Sequence, residues 1–399
     1  MGSSSLFDIG ISPTDYIPIV EIGLFLGVGL CLLTPQRTRL QFKFGRFFAM
    51  ADASKTSTLL FMVAVGIHFA NYFYSGMAKV LLDGGPILWV MQNPTDVLAL
   101  NAYVGGFLPS TFLFAGQASG AKTLEALRPL INYSILLAQL GAIIFILRKR
   151  SMILATLFYD ITHVVIYLVS GIFFWKWIIL NIGLVLAMRK LPRWIETPKP
   201  MILGVAAIVL SPYAFHIARL GWYDTPALVV SEVYAVTADG KQVRVPSNFF
   251  GTVSVTVAQH RLGRTNPGHY PTVTWGTTQN AEVFDKAIKD CSYSADEVWQ
   301  FKTTPNKIIR IVQYNHAYAL QQVADGSTFH YNWFPHHIWS YPLSYRDFDT
   351  VALTDIDYYL YRTTSFCVHL GLNGPEIEEV TSDEFQIPLH PDAQSKTGL

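Results

Sequence analysis

The strongest constraint on the fold is a succession of apolar runs that fills the chain up to about Leu220. Each run is close to the ~20 residues that a helix needs to cross a bilayer, and Lys and Arg lie mostly in the gaps. Only 14% of the residues are charged, against roughly 25% in a typical soluble domain. The sequence therefore predicts an integral membrane protein, with the lipid bilayer as its first partner. Six spans are predicted, at residues 16–34, 56–82, 130–147, 153–171, 173–188 and 201–218.

The charge balance argues against one large class of partner. The chain has 29 Lys and Arg against 28 Asp and Glu, a formal net charge of +1. A protein that binds nucleic acid presents a basic surface to the phosphate backbone, and this composition offers no excess of positive charge. We therefore expect no nucleic-acid partner.

Beyond Trp222 the pattern changes to short alternating runs and polar turns, and the pair Asp239-Gly240 is typical of a hairpin. Strands are predicted at residues 227–236, 241–245, 251–259 and 357–369, and a helix at 281–291 with Asn280 as its N-cap. The predicted fold is an α-helical membrane bundle, residues 1–220, followed by a β-rich mixed soluble domain, residues 221–399.

The basic gaps predict the orientation, because Lys and Arg near helix ends tend to stay on the cytoplasmic side. The basic segments 37–55, 148–150 and 189–199 are therefore expected inside. Six alternating spans then place the N-terminus and the C-terminal domain on the extracytoplasmic or lumenal side.

The apolar segment 86–115 is broken by proline and glycine, and it must cross twice or not at all. We predict a re-entrant hairpin that lines a cavity, because irregular backbone at membrane depth needs protein or water beside it.

One predicted span carries a polar stripe. At 3.6 residues per turn, five side chains fall within about 100° of arc: His68, Asn71, Tyr72, Ser75 and Lys79. Ionisable groups inside a membrane are costly and usually face a bundle interior or a wet cavity, so the stripe is a candidate functional surface. In the structural alternative, Lys79 extends to the membrane interface while His68 and Asn71 bond to other helices.

A second polar stripe lies on the predicted span 153–171, where Asp160, His163, Tyr167 and Ser170 follow one another at helical spacing. An Asp beside a His can orient the imidazole or raise its basicity, so Asp160 and His163 are predicted catalytic residues. Two facing stripes would form the walls of one cavity. In the alternative interpretation, Asp160 and His163 are a structural pair that fixes helix packing.

No metal site is predicted. His336 and His337 are adjacent, but no HExxH or CxxC spacing accompanies them. Their segment, residues 329–345, is rich in aromatic residues, which favours a loop that packs against the membrane or a protein partner. Cys291 and Cys367 match no zinc or redox spacing, although they can pair if their domain lies in an oxidising compartment.

Two motifs of the membrane half resemble those of one family. The run YFYSGMAK at residues 72–79, followed by Trp89, is similar to the helix end YF-x-[AS]-G-x-x-K that precedes a Trp-containing segment in the vitamin K-dependent gamma-carboxylase-like (HTTM) family. The stretch 158–182, with His163 and the run GIFF, resembles that family's FH…GxF helix. A β-rich domain on the lumenal side also suits the family.

The resemblance implies a reaction. In carboxylases of this family, the lysine at the position of Lys79 is the base that deprotonates a reduced naphthoquinone, a vitamin K-like cofactor. Oxygen then converts the hydroquinone into a strong base that removes a γ-proton from a substrate glutamate, and carbon dioxide captures the carbanion. The residues expected to bind the quinone or another lipid-soluble substrate are His68, Asn71, Tyr72, Ser75 and Trp89.

Two functions therefore stay open. One is a quinone-dependent membrane enzyme, whose peptide substrate or protein subunits would contact residues 221–399. The other is a non-catalytic membrane subunit that docks onto a larger complex through its aromatic-rich outer domain. Burial of Lys79 in a cavity would favour the enzyme, and a Lys79 at the lipid edge would favour the subunit.

Overall fold

The computed structural model describes residues 22–23, 53–107, 119–263, 276–291, 305–324, 345–371 and 375–389. In the described part of the first half, the helices are α1 (Ala53–Val80), α2 (Gly85–Gln92), α3 (Thr95–Val104), α4 (Ser119–Phe145), α5 (Lys149–Ser170), α6 (Trp175–Met188) and α7 (Pro198–Ala214). A 3-10 helix, Arg193–Glu196, lies between α6 and α7. The predicted first span, 16–34, lies outside the described residues except for 22–23, which are helical.

Among the described helices, three are long and apolar enough to cross a membrane: Thr58–Val80 in α1, Lys122–Phe145 in α4 and Lys149–Ser170 in α5. The prediction of six spans is therefore not supported. Helices α6 and α7 have 14 and 17 residues, which at 1.5 Å per residue corresponds to about 21 and 26 Å, less than the ~30 Å hydrocarbon core. The apolar run 201–218 is shortened because its last residues leave the helix and hydrogen-bond to α1.

The predicted re-entrant segment, 86–115, begins as two short helices, α2 and α3. Pro94 separates them and lies at the N-cap of α3. With 8 and 10 residues, neither helix reaches across a bilayer. Residues 108–115 lie outside the described part of the chain.

Helix α1 is the centre of the bundle, and its buried residues Met62 and Phe69 pack against α4 to α7. At Gly66, a Cβ atom would lie 2.6 Å from Ala207 Cβ, so the absence of a side chain lets α1 and α7 approach closely. The outer faces of α4 to α7 carry exposed apolar side chains, among them Ile144, Leu154, Ile161, Ile179 and Ile202. This distribution matches a bundle surrounded by lipid.

The second half contains a four-stranded antiparallel sheet in the order β3-β2-β5-β6. Its strands are β2 (Ala227–Thr237), β3 (Gln242–Arg244), β5 (Ile356–Leu370) and β6 (Pro375–Pro388). Two short strands, β1 (Tyr223–Asp224) and β4 (Thr277–Thr278), form a separate pair. The α-helices in the described part of this half are α8 (Ser254–Ala258), α9 (Ala281–Asp290), α10 (Pro305–Ala324) and α11 (Tyr345–Asp349). Buried residues of α10, including Ile308 and Val312, pack against the sheet.

Most predicted elements of this half are confirmed. The strands predicted at 227–236 and 357–369 correspond to β2 and β5, and the strand at 241–245 to the shorter β3. Helix α9 begins as predicted, because the Asn280 side chain accepts hydrogen bonds from the N–H groups of Glu282 and Val283 at 2.8 and 3.0 Å.

The prediction of a strand at residues 251–259 is wrong. These residues form the end of a 3-10 helix, Ser247–Val253, followed by α8. The alternating valines are typical of a strand, but Gly251 adopts φ 51° and ψ −121°, which redirects the backbone. The helical turn that follows buries Val257 and Ala258, so packing overrides the β propensity.

Residues 220–225 connect the two halves, and polar side chains of α2 and α3 bind this segment. Trp89 Nε1 donates to the carbonyl of Trp222 at 2.8 Å, and Asn101 Nδ2 donates to that of Thr225 at 2.9 Å. The segment at the predicted boundary between the two domains is therefore hydrogen-bonded to helices of the first half.

Candidate functional site

A buried polar cluster lies where α1, α5 and α6 meet, and Asn181 of α6 is its centre. Asn181 Oδ1 lies 2.6 Å from His68 Nε2. Its Nδ2 donates to Asp160 Oδ1 at 2.7 Å and to the Tyr72 hydroxyl at 3.3 Å. His163 lies at the edge of the group, with its ring centroid 6.1 Å from that of Tyr72. We call these five residues the Asn181 cluster.

The hydrogen bonds of the Asn181 cluster fix the tautomer of His68. A carboxylate only accepts hydrogen bonds, so Asp160 requires the amide nitrogen of Asn181 on its side. The amide oxygen of Asn181 then faces His68, and His68 Nε2 is the donor. The neutral imidazole therefore carries its lone pair on Nδ1. His68 is fully buried, and no described residue hydrogen-bonds to this Nδ1 or to His163 Nδ1.

Aromatic rings pack around the Asn181 cluster. Tyr72 stacks on Tyr159, with ring centroids 3.7 Å apart and planes within 8°. Trp177 lies 5.2 Å from the His68 ring and 6.3 Å from the His163 ring. This wall keeps the local environment apolar, so His68 Nδ1 is a strong hydrogen-bond acceptor for a group placed beside it.

The other members of the α1 stripe have different partners. Asn71 Oδ1 accepts from the N–H of Ala218 at 2.9 Å, and Ser75 Oγ accepts from the N–H of Leu220 at 3.2 Å. The Lys79 ammonium donates to the carbonyl of Leu220 and, at 3.4 Å, to that of Ser75. These three side chains, one helical turn apart, hold the backbone that follows α7.

Lys79 is buried, with 8% of its surface exposed, so its side chain is covered by protein. Its ammonium lies 5.2 Å from the centroid of the Trp89 ring, a cation–π contact. Asp224 is the acidic group that acts on it electrostatically. The two carbonyls, the ring face and the acid together surround the Lys79 side-chain nitrogen.

Asp224 was not predicted as a site residue. It is buried, its Oδ2 accepts from Asn93 Nδ2 at 3.0 Å, and its N–H donates to Asn93 Oδ1 at 2.8 Å. Burial raises the pKa of Asp224 to about 6, while the hydrogen bond from Asn93 and the charge of Lys79 act in the opposite direction. Asn132 Nδ2 donates to the Asn93 carbonyl at 2.9 Å and so orients this residue in turn.

The structure therefore divides the predicted site in two. His68, Tyr72, Asp160 and His163 come together, as two facing stripes require, whereas Lys79 belongs to the connection between the halves. Sequence reasoning missed Asn181, the residue that joins the stripes. Its signal was a single amide inside the apolar run 178–187, because a lone polar group in such a run needs a partner on another helix.

The remaining predictions concern the second half. Cys291 and Cys367 form a disulfide between α9 and β5, with a Cα–Cα distance of 6.0 Å. His336, His337 and the aromatic segment 329–345 lie outside the described residues, apart from the first residue of α11.

Comparisons of the chain with protein-family models, with curated proteins and with solved structures each gave no match.

Proposed function

We propose that this protein is a membrane-embedded enzyme that binds a quinone-type or other lipid-soluble substrate beside the Asn181 cluster. The observation that supports the proposal is the fully buried His68, whose Nδ1 lone pair has no partner among the described residues. Burying such an acceptor costs free energy of about 1–3 kcal/mol, and a substrate hydroxyl would recover it. The position between two candidate membrane-spanning helices favours a substrate that arrives from the lipid.

The chemistry of the cluster fits a reduced quinone, which when bound would supply two electrons and two protons. His68 Nδ1 is an acceptor for a ring hydroxyl, and His163 Nδ1, on the neighbouring helix, is a second buried nitrogen with no partner among the described residues. The Asp160 carboxylate, held through Asn181, balances the charge of an imidazole that has taken up a proton. Tyr72 contributes its hydroxyl and one face of the aromatic wall.

For Lys79 the support comes from the family resemblance and from its burial. Two carbonyl contacts and the nearby Asp224 favour the ammonium form, and a base needs a free lone pair. Lys79 acts as the base in this proposal only if it releases its proton and its contact with Leu220. Burial supplies a driving force for that release, because an apolar environment disfavours the charged form of an amine.

The test uses the full chain in lipid nanodiscs with a reduced naphthoquinone. The measured quantities are quinone-dependent turnover, followed as oxygen uptake, and quinone affinity. We expect His68→Leu to weaken quinone binding and Lys79→Ala to abolish turnover while the protein stays folded. Tyr167→Phe, an exposed position on α5, is the matched control and keeps both. Turnover retained in Lys79→Ala would remove Lys79 from the mechanism, and unchanged affinity in His68→Leu would overturn the site.

A second candidate function is a non-catalytic membrane subunit. The observation that favours it is that Asn71, Ser75 and Lys79 hold the backbone after α7, a structural role for three of the five residues of the α1 stripe. In that case substitutions in the Asn181 cluster have no effect on quinone-dependent turnover. The protein then purifies from mild detergent in a complex whose mass exceeds that of the single chain. Light scattering of the purified particle distinguishes the two functions.

A further inference from the structure

The disulfide of the second half has a third potential ligand beside it. His369 Nε2 lies 2.9 Å from Cys367 Sγ and 3.8 Å from Cys291 Sγ. All three ligand atoms lie within 4.8 Å of one another. The two cysteines are buried, whereas His369 is exposed, so the group opens to solvent on one side.

The fold explains why these three residues meet. Cys367 and His369 are two positions apart on β5, so both side chains point to the same face of the strand. Cys291 follows the last residue of α9 in the left-handed conformation, with φ 52°, and this turn directs it toward β5. Ala227 and Val229 of β2 pack against the cysteines and keep water away from the sulfur atoms.

We propose that Cys291, Cys367 and His369 form a redox-gated site for a divalent transition metal of the zinc class. Thiolate and imidazole are the ligands that Zn²⁺ prefers, and a site with three protein ligands leaves the fourth, solvent-facing position open. In the oxidised protein the two sulfurs are bonded to each other, so the site exists only after the disulfide is reduced.

The geometry of the reduced site requires small movements. A tetrahedral Zn²⁺ with Zn–S bonds of about 2.3 Å needs its two sulfurs about 3.8 Å apart, and the sulfur–nitrogen separations somewhat shorter. The Cα–Cα distance of 6.0 Å allows side-chain rotation to separate the sulfurs once their bond is broken. The distances from His369 to the two sulfurs already bracket the required value.

The reaction balances with a dithiol as reductant. The dithiol closes to its own disulfide and transfers two electrons and two protons, which convert Cys291 and Cys367 into thiols. Metal binding then releases both thiol protons to the solvent, and the neutral imidazole of His369 adds the third bond. A small-molecule disulfide would re-form the Cys291–Cys367 bond by thiol–disulfide exchange, taking up the two electrons as it is reduced to its thiols, and the metal would be released.

The test uses the full chain in detergent, in a Cys31→Ser background that removes the third cysteine. A phosphine reduces the disulfide and is removed, and Co²⁺ then serves as the spectroscopic probe. We expect the reduced protein to bind one equivalent of Co²⁺, with a sulfur-to-cobalt charge-transfer band and the visible bands of a tetrahedral site. The oxidised protein should show neither signal, and Zn²⁺ should displace the Co²⁺.

The decisive variant is His369→Ala, which leaves the disulfide and therefore the fold of the oxidised protein in place. It should lower the affinity for Co²⁺ at least about tenfold and shift the visible bands. An unchanged spectrum in His369→Ala would overturn the proposal, as would a reduced protein without the charge-transfer band. Loss of the near-ultraviolet circular dichroism on reduction, before metal is added, would overturn it too, because the site requires the folded sheet.

Discussion

His68 and Asn181 lie 113 residues apart in the chain, yet His68 Nε2 and Asn181 Oδ1 are separated by only 2.6 Å. This contact joins the central helix α1 to α6. The amide nitrogen of the same Asn181 side chain donates to Asp160 and so joins α6 to α5. One side chain therefore connects three helices and orients the imidazole that the proposed function depends on. The same arrangement makes the bundle sensitive to changes at this position.

We expect Asn181→Leu to destabilise the protein. Leucine fits an apolar run but leaves His68 and Asp160 without their shared partner, and hydrogen bonds between membrane helices contribute about 1–2 kcal/mol. The apparent melting temperature in detergent should fall. Ile182→Leu, at the neighbouring exposed position, is the control and should leave it unchanged. Equal melting temperatures for the two variants would contradict the central role of Asn181.

Two helical glycines, Gly66 on α1 and Gly183 on α6, are expected to respond in opposite ways to an added side chain. At Gly66 an added Cβ would meet Ala207 Cβ at 2.6 Å and the Gly204 carbonyl at 2.8 Å, so Gly66→Ala should destabilise by about 1–3 kcal/mol. At Gly183 nothing lies within 4 Å of the added atom, and Gly183→Ala should stabilise by about 0.5–1 kcal/mol. Melting temperatures of the two variants check this, and a stabilising Gly66→Ala would contradict the close approach.

Asp224 predicts a specific pH dependence. Burial raises its pKa to about 6 in the folded protein, whereas an unfolded chain releases this proton near its ordinary value of ~3.9. The unfolded state therefore loses its proton first, and the free energy of unfolding falls as the pH rises between these two values.

The variant Asp224→Asn should remove this fall in the free energy of unfolding, which amounts to up to about 3 kcal/mol over the pH range. The amide keeps an acceptor for Asn93 and differs from the acid mainly in that it does not titrate. The measurement is chemical unfolding at several pH values, with the exposed Asp285→Asn as the control. An Asp224→Asn profile parallel to that of the unmodified protein would show that Asp224 does not titrate in this range.

His260 combines a buried hydrogen bond with a left-handed backbone. Its φ is 52°, and its Nδ1 lies 2.8 Å from the Ser231 carbonyl. His260→Ala and His260→Gly both remove that hydrogen bond, but only glycine relieves the backbone. We therefore expect the glycine variant to be more stable than the alanine variant by about 1 kcal/mol. Chemical unfolding of the pair measures the difference, and equal stability would show that the backbone is unstrained.

The features that could be predicted from the sequence are those set by residues close together in the chain. Helical spacing brought His68 and Tyr72 onto one face of α1, and the same reasoning placed Asp160 and His163 on α5. The N-cap at Asn280 was predictable because a cap depends on the two or three residues that follow it. In each case the local spacing alone determines which side chains lie together.

The remaining features depend on the path of the chain, which spacing does not reveal. The backbone of residues 218–220 lies along α1 and binds three of the five residues of the polar stripe, so Lys79 does not share the partners of His163. The strand β6 was missed because its acidic residues, such as Glu376 and Glu378, conceal the apolar alternation of an edge strand.

The connection at residues 220–225 also bears on how the protein folds. Strand β2 begins three residues after Asp224, and the groups that position this segment, Trp89, Asn93 and Asn101, belong to the first half. The sheet thus starts from a point that the helices hold in place. A fragment beginning at residue 221 would lack these partners. We therefore expect the sheet to form less readily without the helical half, and the two halves to unfold together.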